Sequence, residues 1–307
     1  MSTTLNCNLL CASGAAYGIS AQTGQYSEVP TFSKAAAFSP APTALSADDQ
    51  PNDKLNACLV GKNEFGIVVA FRGTVSTAWR DWLQDAMIEP VQRAGLPGLV
   101  HRGFADATIK LLPQIADAVR KLQPSSAPLS VYVTGHSKGG GMAPLAAYLL
   151  QAKGIPIAQT VTFAGPRCGN QDFKTGYEAI FKNHIRYENY GDLVPLVPAG
   201  GEFDAVTQHL SMLPGIGKTL SEISTRSRGW GYVPVGSEMY ITKHQQIKLD
   251  EDVRDQIEAF LGNLAAQLLH LQTPEQAIAR LEKAIVDAHI LKCGLGYVSG
   301  TCPGLCG

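Results

Sequence analysis

The sequence predicts an α/β fold built on a mainly parallel central sheet. Three observations predict it. Short runs of β-branched and aromatic residues alternate with longer segments of helical period, the pattern of strand-helix units. One of those strands, at 131–134, runs straight into a glycine-bracketed serine and then into an apolar helix. Finally, 45% hydrophobic and 17% charged residues over 307 positions are those of a globular chain able to bury a full core.

In chain order, residues 1–25 read as a short apolar helix carried by Leu9, Leu10, Ala15, Ala16, Tyr17 and Ile19. The stretch 29–54, with Ser-Pro-Ala-Pro and Asp-Asp-Gln-Pro, reads as an irregular connection. Strands at 57–60 and 66–71 flank Gly61-Lys62-Asn63-Glu64, a hairpin signal. The run 105–122 has helical period and stops before Pro124. After the strand at 131–134 and the helix behind the serine come a strand at 160–164, a helix near 172–181 and a strand at 184–189. One further strand is expected at 238–249, then helix over 250–271. A last helix opens at Thr273-Pro274-Glu275-Gln276 and runs to about 288. There Thr273 suits the N-cap, Pro274 the first helical position, and Gln276 completes a capping box. No repeat, low-complexity tract or clear linker divides the chain, so one domain is expected.

Composition excludes several function classes. A net charge of −1 gives no electrostatic case for nucleic acid or an anionic membrane. No apolar run has transmembrane length. The N-terminus lacks the positive region of a secretory signal, which points to a cytoplasmic protein or a trimmed start. Seven cysteines, an odd count, leave at least one thiol unpaired in a monomer. Clustering of Cys7 and Cys11 at one end, and of Cys293, Cys302 and Cys306 at the other, suggests bridges stapling the chain ends. The spacings lack paired C-x-x-C motifs, so no metal site is expected, nor any cofactor.

The chemistry centres on Gly135-His136-Ser137-Lys138-Gly139, which fits the G-x-S-x-G pattern of a serine exposed on a sharp strand-to-helix turn. A serine alcohol is a poor nucleophile at neutral pH and needs a base and a group to hold that base. Asp192, in Asn189-Tyr190-Gly191-Asp192-Leu193-Val194-Pro195, follows the strand at 184–189, where a loop presents a side chain to a crevice. The same residues also suit an ordinary turn. Three histidines downstream serve equally as candidate bases: His209, His244 and His289. An oxyanion needs backbone donors from the residue after the nucleophile, here Lys138, and from the loop after an earlier strand, here Arg72-Gly73-Thr74. Behind Thr74, residues 75–87 carry Trp79, Trp82 and Leu83, the apolar face of either a core helix or a lid.

Taken together, these segments resemble the class 3, or fungal-type, lipase family of the α/β-hydrolase superfamily. The resemblance is carried, in family order, by Phe71-Arg72-Gly73-Thr74, Asp81-Trp82-Leu83, Val100-His101-Arg102-Gly103-Phe104 and Gly135-His136-Ser137-Lys138-Gly139-Gly140. It continues through Phe163-Ala164-Gly165-Pro166-Arg167-Cys168-Gly169-Asn170, the segment around Asp192, and Gly231-Tyr232-Val233-Pro234-Val235-Gly236. It spans about 57–241 and resumes near Asp287.

The resemblance implies an α/β-hydrolase fold with helices flanking the sheet and a lid near 75–86. It implies a Ser137, Asp192 and His289 triad, with Tyr297 beyond the histidine, and an oxyanion hole at Thr74 and Lys138. The implied activity is carboxylic-ester hydrolysis on a lipid or other acyl ester, with triacylglycerol favoured. Phospholipase A1 or a feruloyl-type esterase would use the same scaffold, and a non-catalytic lipid- or protein-binding module is the reading from another class. Interfacial contact with lipid through the lid and export from the cell are further implications. Lys138 stands where the family usually has leucine, and a cation there suits an anionic substrate group or a cap over the cleft. Segments 214–230 and 249–284 are insertions relative to the family pattern.

Overall fold

A computed structural model describes residues 4–49, 54–75, 87–198, 229–249 and 274–306, with positions 222, 225, 227 and 255 between them. An eight-stranded sheet runs through the molecule. Its strands are β1 (Thr43–Asp49), β2 (Lys54–Asn63), β3 (Gly66–Phe71), β6 (Val131–His136), β7 (Gln159–Phe163), β9 (His184–Asn189), β11 (Ser237–Ile241) and β12 (Ile247–Leu249). The spatial order is β1-β2-β3-β6-β7-β9-β11-β12, with β3 through β11 parallel and the two edges antiparallel. Four two-residue strands, β4 (Pro90–Val91), β5 (Val100–His101), β8 (Gly169–Asn170) and β10 (Tyr232–Val233), make a small antiparallel sheet.

Period-two alternation sorts the side chains to two cores. On β3, Ile67, Val69 and Phe71 join one core, while Val68 and Ala70 join the other. The first core is closed by α3 (Arg102–Leu122) and α4 (Lys138–Ala152). Helix α3 is amphipathic: Phe104, Leu111, Ile115 and Val119 are buried and Lys110 and Asp117 face out. The second core is closed by α1 (Leu5–Ala15), α2 (Pro30–Ala36) and α7 (Gly296–Thr301). Helix α1 is buried on nearly every side because its neighbours cover it. Its polar Asn8 donates to the Ala35 and Ala36 carbonyls, and its Ser13 hydroxyl bonds the Leu9 carbonyl. Two further helices, α5 (Gln171–Ile180) and α6 (Pro274–His289), complete the described elements that bear on the site.

Most elements lie within a few residues of expectation, and two readings need correction. Segment 29–54 is not irregular, since it holds α2 and β1. Segment 238–249 is not one strand but the hairpin β11–β12, turning where Gln245 adopts a φ of 61°. The apolar face at 76–86, the 214–228 insertion apart from positions 222, 225 and 227, His209, Thr273 and all of 250–271 but position 255 lie outside the described residues.

Cys7 is bonded to Cys302 and Cys293 to Cys306, while Cys11, Cys58 and Cys168 are buried thiols. The Cys7–Cys302 bridge joins positions 295 residues apart and so ties α1 to the C-terminal segment. Cys11 lies close to that bridge, and the three sulfurs fall within 4.8 Å of one another, but two of them are already spent on each other. Among the described residues, no helix is long and apolar enough to cross a membrane.

Candidate active site

The site forms where the parallel strands end. Ser137 follows β6 directly and precedes α4, with φ 56° and ψ −131°, a conformation L-residues rarely adopt. The bracketing glycines are steric necessities. A Cβ at Gly135 would stand 2.3 Å from the Gly139 carbonyl oxygen, and one at Gly139 would stand 2.3 Å from the Phe71 carbonyl oxygen. The turn is held by the Ser137 N–H donating to the Phe163 carbonyl at 3.0 Å and by Gly140 donating to the Ser137 carbonyl at 2.7 Å.

Asp192 stands just past β9 and His289 ends α6. The structure brings both to the serine. His289 Nε2 lies 2.9 Å from Ser137 Oγ, and His289 Nδ1 lies 3.1 and 3.0 Å from the two Asp192 carboxylate oxygens. All three residues are buried. The carboxylate also accepts from the Val194 N–H at 3.0 Å and from the Tyr297 hydroxyl at 2.7 Å. Tyr297 is a dependable donor. Burial first, and the Asp192 charge second, hold its phenol well above its usual range. Of the other candidate bases, His244 is exposed on the β11–β12 turn, and His209 lies outside the described residues.

The two expected oxyanion positions border the same point. Lys138 is the first residue of α4, at the end where helix N–H groups project outward and the dipole favours negative charge. The backbone before Thr74 presses on Ser137, since a Cβ at Gly73 would stand 3.0 Å from Ser137 Cβ. Arg72 anchors that loop from below by donating to the Ile19 and Leu55 carbonyls. Thr74 and His289 open onto a cavity of about 250 Å³ whose wall includes Val29, Phe32, Ile290 and Leu291.

Two polar side chains here escaped the sequence analysis. Tyr17 read only as part of an apolar helix and His136 only as the spacer before the serine. The Tyr17 hydroxyl lies 2.7 Å from His136 Nδ1, and His136 Nε2 lies 2.7 Å from the His289 carbonyl oxygen.

Residues 68–201 match the family model described as Lipase (class 3). Over that segment the chain is similar to the class 3 lipase family. Among relatives, a chloroplastic phospholipase A(1) from Arabidopsis thaliana is 29% identical over 214 residues, covering 62% of this chain and 46% of its own. A secreted mono- and diacylglycerol lipase from Penicillium cyclopium is 29% identical over 153 residues, covering 50% of this chain and 49% of its own. The chain thus spans about half the length of those relatives. Among solved structures, a mono- and diacylglycerol lipase from Aspergillus oryzae aligns with a TM-score of 0.56 at 22% identity, covering 81% of this chain and 86% of its own. A lipase from Rhizopus microsporus var. chinensis aligns equally well, at 0.56 and 22%, covering 77% of this chain and 73% of its own. The shared fold is the α/β-hydrolase fold, matching the mainly parallel sheet of this chain.

Proposed function

We propose that the protein is a serine carboxylic-ester hydrolase acting on acylglycerols, with triacylglycerol as the leading substrate class. The observation that carries this reading is the continuous path from Ser137 Oγ through the His289 ring to the Asp192 carboxylate, at 2.9 Å and 3.0 Å. In the proposed cycle Ser137 Oγ attacks the ester carbonyl carbon while His289 Nε2 takes its proton. Asp192, oriented by Tyr297 and the Val194 N–H, stabilises the imidazolium that forms. The oxyanion of the tetrahedral intermediate is held by the backbone N–H groups of Thr74 and Lys138, so its charge meets dipoles already in place. Collapse releases the alcohol with the proton from His289. Water then repeats the cycle on the acyl-enzyme and frees the acid. No cofactor enters these steps.

The apolar cavity beside Thr74 and His289 supports a substrate with hydrocarbon on the ester, since each buried methylene gives about 0.8 kcal/mol. We assign one α/β-hydrolase domain to residues 1–307, with a lid near 75–86 that contacts lipid at the interface and a helical insertion near 249–284. Phospholipase A1 activity is the second reading, favoured by the Arabidopsis relative that covers 62% of this chain. A panel of p-nitrophenyl esters of increasing chain length, with emulsified triacylglycerol and phosphatidylcholine vesicles, tests the assignment. Fatty acid release from triacylglycerol is expected. Release from phosphatidylcholine alone would move the assignment to the second reading, and loss of activity beyond short chains would exclude both.

A further inference from the structure

His136 takes no part in the proton path, yet it is buried and both its ring nitrogens are engaged. Its direction follows from its strand. On β6, Tyr132 packs against the α1-side core and Thr134 lies 2.9 Å from Ser13 of α1. Two residues on, the same alternation sends His136 toward Tyr17, just past the end of α1.

The hydrogen bonds fix which nitrogen carries the proton. The His289 carbonyl can only accept, so His136 Nε2 is the N–H. Nδ1 is then the lone pair to which the Tyr17 hydroxyl donates. Burial, reinforced by His289, holds the His136 imidazole well below its ordinary value, and burial pushes the Tyr17 phenol up. Both groups are therefore neutral, as this order of donors requires.

The accepting carbonyl sits at the C-terminal end of α6, where the last carbonyls have no helical partner. Asn189 Nδ2 donates to the Ala288 carbonyl at 2.8 Å and His136 Nε2 to the His289 carbonyl at 2.7 Å. Side chains from β9 and β6, the strands that lead into Asp192 and Ser137, thus hold two successive carbonyls at the histidine. The Tyr17 oxygen also rests against Gly73, where an added Cβ would stand 2.1 Å away.

We propose that Tyr17 and His136 are positioning residues. They form a one-directional relay, O–H to nitrogen and N–H to carbonyl, that pins the His289 backbone so its ring presents Nε2 to Ser137. Through Gly73 the relay registers that point against the oxyanion loop. It depends on the reading of His289 as the base.

The test compares Tyr17→Phe, His136→Leu, His136→Gln and the double variant Tyr17→Phe/His136→Gln in the whole chain, measuring kcat, KM and melting temperature with p-nitrophenyl butyrate. Loss of the relay is expected to lower kcat by about tenfold to a hundredfold in His136→Leu, with KM within about twofold of the parent. Tyr17→Phe should lower kcat by about three- to tenfold. The glutamine amide can donate from the Nε2 position without tautomer control. It should therefore restore most of kcat, and adding Tyr17→Phe to it should change nothing further. A kcat within about twofold of the parent in both single relay variants, or glutamine no better than leucine, would overturn the proposal. If His136→Leu loses its cooperative melt, Tyr17→Phe, which keeps the ring and loses one oxygen, decides the matter together with the glutamine pair. His289→Ala separates the two levels. Retained turnover there removes the base assignment and the relay with it, whereas loss there alongside unchanged relay variants removes the relay alone.

Discussion

Ser137 stores backbone strain where its hydroxyl must project, and that strain is tolerable because both neighbouring glycines leave room for it. Replacing Ser137 by Ala is predicted to lower kcat by about 10⁵- to 10⁶-fold with no loss of melting temperature. Asp192→Asn should cost about 10⁴-fold, because the wrong imidazole tautomer is then favoured. Lys138→Leu keeps the backbone donor, so hydrolysis of a neutral short-chain ester should stay within a few-fold of the parent; a hundredfold loss would show that the ammonium itself is required. The serine was legible because its motif states a steric need. The histidine was not legible from spacing, since three candidates satisfied the chain order, and only the family resemblance pointed to His289. Tyr17 and His136 gave no signal at all, because the groups they join lie 119 and 153 residues apart in sequence.

At the scale of elements, alternation and helical period carried the central strands and α3 to α5 into view. Strand β1 and helix α2 were hidden because prolines at 30, 40 and 42 punctuate the segment that contains them. The β11–β12 hairpin was hidden because Gln245, rather than Gly or Asn, takes the left-handed turn position. Gly135→Ala should be severely destabilising, on the order of 3 kcal/mol or more, since its methyl meets backbone and not a movable side chain. Chemical denaturation of that variant against the parent measures this. The helix that ends at His289 is secured by β6 and β9 side chains, and Tyr297 of α7 holds Asp192, the carboxylate that His289 meets.

Across the whole molecule, burial of ionisable groups sets the response to pH. His184 is held neutral by burial, its value lowered from 6.5 to about 3, and His136 is lowered as well. The unfolded chain therefore binds these protons first, so stability is full above about 6.5 and is lost as pH falls toward 3. Melting temperature should drop across that window, and a flat profile would contradict the assignment. The thiols act in the opposite direction. Burial raises Cys11 and Cys168 from 9.0 to about 12, so their contribution is full below 9.0 and is lost as pH rises between those values. The same burial predicts that Cys11, Cys58 and Cys168 resist alkylation in the native protein and react on unfolding without reductant. Removing the Cys7–Cys302 bridge by Cys302→Ser should cost on the order of 3–5 kcal/mol, the range expected for closing so long a loop.

The proposed hydrolysis depends on Ser137 acting as an acyl-transfer nucleophile driven by His289 and Asp192. Titration with a fluorophosphonate, read by intact mass and peptide mapping, tests it most directly. One phosphonyl group per chain is expected, located on Ser137, with esterase activity lost in step and no labelling in Ser137→Ala or His289→Ala. A parent chain that stays unlabelled, or a Ser137→Ala variant that hydrolyses esters at the parent rate, would contradict it.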